Sequence, residues 1–379
     1  MKRIGILTFH CADNYGAVLQ CLGLQEFLTV KGYEVTIINY HPKYLLDKHS
    51  VVVNPITRFK EYRKLDESKK IILKKTIKSI VENIYFFKRV IRKSKFYKYR
   101  KKYLKQTIKA NNYDEVNDIV KGYDVLICGS DQVWNKQMSN GIFDRVFFLQ
   151  FDFVNIKKVS YAASAGSEID TEDKKEFAEL LNRFNNISVR EEKLFKQINE
   201  WTNKKSQLVL DPSMLLNGEQ WCDYIEEKRV NGKYILVYCL EKNEKMFNLI
   251  RAVYEKLNIS VIEIDMRKRL NIDGKVISTL NPGEFLSLIK NAEFIVTNSF
   301  HGTVFSILFK KDFISIPHLK LGERMRTLLS ILDLKEKLIT DESMISNAFT
   351  KINYKEVDKK IDDLRNESIQ FLMNAIVGE

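Results

Sequence analysis

Cysteine is thinly used in this chain: Cys11, Cys21, Cys128, Cys222 and Cys239 are all that 379 residues contain. The number is odd, no pair has C-x-x-C spacing and most neighbours are apolar. Neither a disulfide framework nor a zinc site is indicated, and the thiols are expected to be reduced and buried. Long apolar runs are missing too. No stretch of about 18 apolar residues occurs, which excludes a helical membrane span. The opening MKRIGILTFHCADN has only Ile4 to Phe9 as an apolar core, too short for a signal peptide, so a cytoplasmic chain is expected. Histidine is as scarce, at five, and no histidine or carboxylate cluster has metal-ligand spacing; no metal and no cofactor are expected.

Acidic residues are scarce in one place only. The formal net charge is +13, yet residues 58 to 105 alone hold 19 Lys or Arg against 4 Asp or Glu, which leaves the rest at about −2. Apolar residues run through this segment, among them Ile71, Ile77, Ile84, Phe87, Val90 and Ile91, a pattern that suits amphipathic helices better than a disordered tail. It reads either as a helical insertion with a solvated basic face, outside any cleft, or as a surface for anionic lipid or another polyanion. Nucleic acid is not the expected partner.

Strands alternate with helices along the rest. RIGILTF, EVTIINY, DVLICG, KKVSYAAS, NISVR and SQLVL read as strands of a first half, and KYILVYCL, SVIEID, EFIVTNS and DFISIP as strands of a second. Helices are expected between them, one of them starting at Asn243. The length and the alternation predict two doubly wound α/β domains facing a cleft. Residues 1–228 would form the first, with a basic helical insertion at about 57–106, and 229–354 the second. The amphipathic segment 355–379 would be a helix crossing back to the first.

Ligands of open parallel sheets lie beyond the carboxyl ends of the strands. After the first strand stand Asn14, Tyr15 and Gly16, which suit an anion or an acceptor, or, for Asn14, a helix cap. After DVLICG come Ser130, Asp131, Trp134 and Asn135, readable as a sugar-binding lip or as a capped helix start with Trp134 in the core. Arg190 follows NISV, where its guanidinium would clamp a carboxylate or phosphate, or form an exposed ion pair. Asp211 and Pro212 read as a turn. His301 sits between Ser299 and Gly302–Thr303 at a strand-to-helix junction, where hydroxyls and free N–H groups suit a phosphate and the imidazole could pass a proton. A structural histidine is the alternative.

In this order, GILTFH with NYGAVLQ, DVLICGSDQVWN, SYAASAG, SVREE, LDPSMLL with EQW, and NSFHGTVFSILF resemble the polysaccharide pyruvyl transferase family over roughly residues 3 to 335. The resemblance implies two Rossmann-like domains of the GT-B kind, phosphoenolpyruvate as donor, and a sugar hydroxyl pair as acceptor in surface-polysaccharide synthesis. Relatives carry an Arg-Leu-His triplet where this chain has Ser299-Phe300-His301. His301 and Arg190 carry over; the second arginine does not, and Arg324 or Lys310 is the nearest replacement. The implied roles are His301 and Asp131 in catalysis, Arg190, Ser299, Gly302, Thr303 and Arg324 on the donor, and Asn14, Tyr15, Ser130, Trp134 and Asn135 on a glycan or lipid-linked oligosaccharide acceptor. Peripheral contact of residues 58–105 with the inner face of the cell membrane would fit such an acceptor. Two rivals share these features: a GT-B glycosyltransferase using a nucleotide sugar, and a non-catalytic basic protein binding membrane or polyanion.

Overall fold

The computed structural model describes residues 1–48, 51, 83–153, 155–228, 230–241, 244–266, 270, 272–317 and 322–378. The strands are β1 Arg3–Leu7, β2 Glu34–Ile37, β3 Val125–Cys128, β4 Lys157–Ala163, β5 Asn186–Val189, β6 Ser206–Leu208, β7 Tyr234–Tyr238, β8 Ser260–Ile264, β9 Gly274–Ile277, β10 Phe294–Thr297 and β11 Asp312–Ser315. The α-helices are α1 Tyr15–Val30, α2 Lys43–Lys48, α3 Phe86–Tyr103, α4 Tyr113–Val120, α5 Lys174–Leu181, α6 Glu192–Trp201, α7 Glu244–Leu257, α8 Pro282–Asn291, α9 Phe300–Leu308, α10 Glu323–Ile331 and α11 Tyr354–Val377.

Two parallel sheets result, in the orders β2-β1-β3-β4-β5-β6 and β11-β10-β7-β8-β9. Their central strands, such as VLIC in β3 and FIVT in β10, are buried throughout, as strands covered by helices on both faces must be. Each sheet reverses its winding once, between β1 and β3 in the first and between β7 and β10 in the second. Such a reversal opens a crevice at the strand ends. The loops after β1, β3 and β10 leave from these points.

Helix α1 shows how the halves meet. Its sequence YGAVLQCLGLQEFLTV has no polar stripe, and nearly every residue from Tyr15 to Leu28 is buried. A helix apolar all round needs cover on every side; here the first sheet lies on one side and α8 and α9 of the second on the other. The Tyr15 ring stacks on Phe285 of α8, centroids 4.4 Å apart and planes 2° from parallel. Helix α11 returns to the first sheet, where Ser368 Oγ accepts from Leu210 N at 3.0 Å and Ile376 O accepts from Lys2 Nζ at 2.9 Å.

Of the basic segment, residues 58–82 lie outside the described residues, as does Asn243; the part from 83 onward forms α3. This helix does not stand clear of the cleft. Arg100 pairs with Asp13 at 3.0 Å and Arg92 donates to Asp13 O at 3.1 Å, so α3 grips the loop after β1. Lys95 crosses to Glu284 of α8 at 2.8 Å. Among the described residues no helix is long and apolar enough to cross a membrane.

Candidate functional site

Asp211 is the centre of the site. It follows β6 and caps the turn Pro212–Met214, with Oδ1 accepting from Ser213 N at 3.0 Å and Ser213 Oγ at 2.5 Å. Its Oδ2 accepts from Ser130 Oγ at 2.8 Å and from Arg190 Nη1. His301 brings Nε2 to 3.6 Å from Oδ1. Burial alone would raise the pKa of this carboxyl, but His301 and Arg190 outweigh it and hold it below the usual carboxylate range. Asp211 therefore stays ionised and joins two groups that arrive from opposite halves.

Across the same crevice, two arginines face the Phe300 ring. The Arg190 guanidinium carbon lies 5.0 Å from its centroid and that of Arg324 lies 5.5 Å away, both within cation–π range. Arg324 Nε is 3.9 Å from Glu191 Oε1, and that oxygen also accepts from Ser164 Oγ. Burial raises the Glu191 pKa against the pull of both arginines, while burial and the neighbouring Arg190 push Arg324 down to about 10. The two guanidinium groups face three carboxylates here, Asp131, Asp211 and Glu191. Arg190 Nε and Nη2, Arg324 Nε, His301 Nε2 and the carboxylate oxygen Glu191 Oε2 are all buried without a hydrogen-bond partner. A buried polar group left unpaired costs about 1–3 kcal/mol, more when charged, so these are groups that a molecule from outside the chain could satisfy. A cavity of about 50 Å³ lies beside it, bounded by Arg190, Asp211, Phe300, Arg324, Thr327 and Ser368 among others.

Asp131 enters from the loop after β3, with Oδ1 3.7 Å from Arg190 Nη2 and accepting from Gln132 N at 2.8 Å. Its φ is +77°, in the left-handed region. A non-glycine residue held there stores of order 1 kcal/mol, which surrounding structure must impose.

The structure thus gathers Asp131, Arg190, His301 and Arg324. Several other expected contacts are corrected. Trp134 is fully buried, stacks on Phe148 at 5.4 Å and donates its indole N–H to Phe147 O at 3.1 Å, so it presents no face to a sugar. Tyr15 is spent on the Phe285 stack. Ser130 is buried and braces Arg190 at 2.7 Å as well as Asp211. Gly302 N donates to Ser299 Oγ at 3.3 Å, which makes Ser299 the cap of α9, and Thr303 Oγ1 bonds Ser315 Oγ at 2.7 Å inside the second half. These groups shape α9 and are not free for a phosphate. Asn14 caps α1 through Ala17 N at 3.2 Å, and Asn135 Nδ2 donates to Gln132 Oε1 at 2.7 Å. Lys310 pairs with Asp358 at 2.6 Å, at the far end of α9.

Sequence reasoning passed over Asp211 as a turn, gave no role to Glu191 or Phe300, and read Gly16 only as part of an anion-binding turn. The turn reading was right in itself: the Asp-Pro pair does cap a helical turn. Its position at the end of a strand was the signal that a second role was open. Among the described residues no group of three His, Cys, Asp or Glu is placed to hold a metal ion.

Comparisons with known proteins agree with this architecture. The chain is similar to S. aureus MnaA, solved with UDP, at 11% identity over 100% of this chain and 98% of that one, with a TM-score of 0.51. It is similar to an α-glucosyltransferase solved with UDP and a 13-mer DNA, at 10% identity over 99% of each chain, with a TM-score of 0.50. At these identities the likeness is one of fold, the two-domain α/β arrangement of GT-B glycosyltransferases and epimerases. No curated protein matches the chain. The family model described as polysaccharide pyruvyl transferase matches residues 14–319. That span takes in α1, the loop bearing Asp131, the Arg190–Asp211 pair and the helix of His301, and the protein belongs to the polysaccharide pyruvyl transferase family.

Proposed function

We propose that the protein transfers pyruvate from phosphoenolpyruvate to a pair of sugar hydroxyls, forming a ketal on a surface-polysaccharide precursor. One observation supports this above the rest: Arg190 and Arg324, which line the small cavity, and His301, 3.6 Å from Asp211 on its wall, hold buried nitrogens without hydrogen-bond partners. Phosphoenolpyruvate carries its carboxylate and, through the ester oxygen, its phosphate on the same carbon, C2, a charge pattern that two arginines on one aromatic ring would accept.

In this reading Arg190 and Arg324 hold the donor. His301, kept oriented by Asp211, delivers a proton to the methylene carbon, which becomes the ketal methyl. C2 then takes the first sugar oxygen, whose proton passes to Asp131. Phosphate leaves with its bridging oxygen, and the second hydroxyl closes the ring as its proton goes to the departing phosphate. Residues 1–228 would supply the acceptor side and residues 229–354 the helix of His301. Because these groups are buried, the halves would part to admit the donor. A lipid-linked oligosaccharide acceptor would draw the protein to the cytoplasmic face of a membrane.

The test supplies phosphoenolpyruvate and candidate glycans and follows phosphate release and the new ketal methyl signal. His301→Ala should lose about 10²- to 10⁴-fold in rate while remaining folded. Undiminished turnover would remove His301 from the chemistry. Protection against thermal unfolding by a nucleotide sugar, and not by phosphoenolpyruvate, would replace this reading with glycosyl transfer.

A further inference from the structure

Helix α3 has two faces with different work. Its inner face is fully engaged: Phe96, Tyr99 and Arg100 are buried, Tyr99 Oη donates to Tyr224 O at 3.0 Å, and Lys95, Arg100 and Lys102 pair with Glu284, Asp13 and Glu226. Among the described residues its outer face meets no such partners. Yet that face carries Phe87 at 76% exposure, Val90 at 41% and Ile91 at 48%, continued at the preceding turn by Ile84 at 74%. Positions 84, 87 and 91 are spaced by three and four, so they form one ridge along the helix. Exposed apolar residues scattered singly are ordinary, but a continuous ridge marks a contact surface.

The charge around the ridge selects the partner. Nine of the eighteen residues of α3 are Lys or Arg, and none is Asp or Glu. Lys93, Lys98 and Lys101 are exposed and have no acidic partner among the described residues. A second copy of this chain would set cations against cations. An anionic bilayer instead offers hydrocarbon for the ridge and phosphate for its flanks, the arrangement of a helix lying in the plane of the interface.

We infer that α3 docks the protein on an anionic membrane by lying in its surface, with Ile84, Phe87, Val90 and Ile91 entering the headgroup boundary and Lys93, Lys98 and Lys101 meeting lipid phosphates. This deepens the membrane contact of the reading above. It is tested without donor or acceptor, so it can fail while pyruvyl transfer stands, and the reverse also holds.

The test is co-sedimentation of the full chain with vesicles of phosphatidylcholine alone or with one third phosphatidylglycerol. Binding to the anionic vesicles is expected, with little to the neutral ones. Phe87→Ser/Ile91→Ser, both at exposed positions, should weaken it by about tenfold or more. Lys93→Glu/Lys98→Glu/Lys101→Glu should do the same, and all variants should keep the wild-type circular dichroism and thermal unfolding midpoint. Binding to anionic vesicles that the serine pair leaves intact would overturn insertion of the ridge. Equal binding to neutral vesicles, or no binding to either, would overturn the membrane as partner. A wild-type dimer in solution that Phe87→Ser/Ile91→Ser converts to monomer would assign the ridge to a second copy of the chain instead.

Discussion

Gly16 and His301 touch across the two halves so closely that a Cβ on residue 16 would stand 2.0 Å from the imidazole Nδ1. Gly16 lies in the first turn of α1 and His301 in the first turn of α9, so two helix N-termini meet there with only a glycine's thickness between them. The contact fixes one edge of the ring while Asp211 lies 3.6 Å from the other, at Nε2. No other residue type fits at 16 without moving the histidine or separating the halves.

Gly16→Ala therefore pits two effects against each other. Alanine favours a helix over glycine by about 1 kcal/mol, whereas overpacking a filled site costs about 1–3 kcal/mol. The clash is with the body of a ring, and overpacking is expected to win. Stability should fall, and transfer activity should fall with it by tenfold or more, because the imidazole proposed as proton donor is displaced. Adding His301→Ala should restore the stability and not the activity. A Gly16→Ala protein as stable and as active as wild type would show that the halves do not close in this way in solution.

Asp211→Asn tests the hub through its pH dependence. The folded-state pKa of Asp211 lies below its unfolded value of about 3.9. Its contribution to stability is thus complete above that unfolded value and is lost as pH falls toward the folded one. Asparagine leaves Arg190 buried without its counter-charge, a loss of about 3–5 kcal/mol at neutral pH. The gap between wild type and Asp211→Asn in urea unfolding should be widest at pH 7 and narrow below about pH 4. A gap independent of pH would mean that the side chain contributes by shape alone.

These residues also show what a sequence can and cannot disclose. The alternating pattern is legible because buried parallel strands such as VLIC and FIVT are continuous apolar runs bounded by turn residues. Strand β9, GKVI, escaped because it is a half-exposed edge strand with a lysine in it, and the helix α4, YDEVNDIV, because only two of its residues are buried. The rule of strand ends led to Asp131, Arg190 and His301. It could not rank the neighbours. Trp134 looked like a lip because a tryptophan beside polar residues fits either side of a surface, and only the aromatic cluster of Phe148, Phe177 and Phe184 reveals which side is in. Convergence of Asp211 and His301, 90 positions apart, depends on how the halves dock, and no local pattern encodes that.

The pair Glu191 and Arg324 is expected to cost stability in the empty protein, since burial disfavours both charged forms. Replacing it by Glu191→Gln/Arg324→Met should leave stability unchanged or raise it by about 1–4 kcal/mol. The same variant should lose the thermal protection that phosphoenolpyruvate gives the wild type. A clear loss of stability would show that the pair is structural, and retained protection would remove Arg324 from the donor site.

Ser299→Arg restores the arginine that the family resemblance leads one to expect, and the crevice explains why it should not help. Ser299 accepts from Gly302 N and caps α9, so its loss costs about 1 kcal/mol. The residue that follows it, Phe300, already touches two guanidinium groups, and a third cation beside them adds repulsion in a buried space. The proposed donor role of Arg324, which reaches in from α10, would make an arginine at 299 superfluous. Ser299→Arg alone should bind phosphoenolpyruvate no better than wild type and should be less stable. In an Arg324→Met background, which should bind the donor about tenfold or more weakly, the same substitution should recover part of the lost affinity. Titration calorimetry on the four proteins decides it: a Ser299→Arg protein that gains affinity with Arg324 intact would mean that the two arginines serve different ends of the donor.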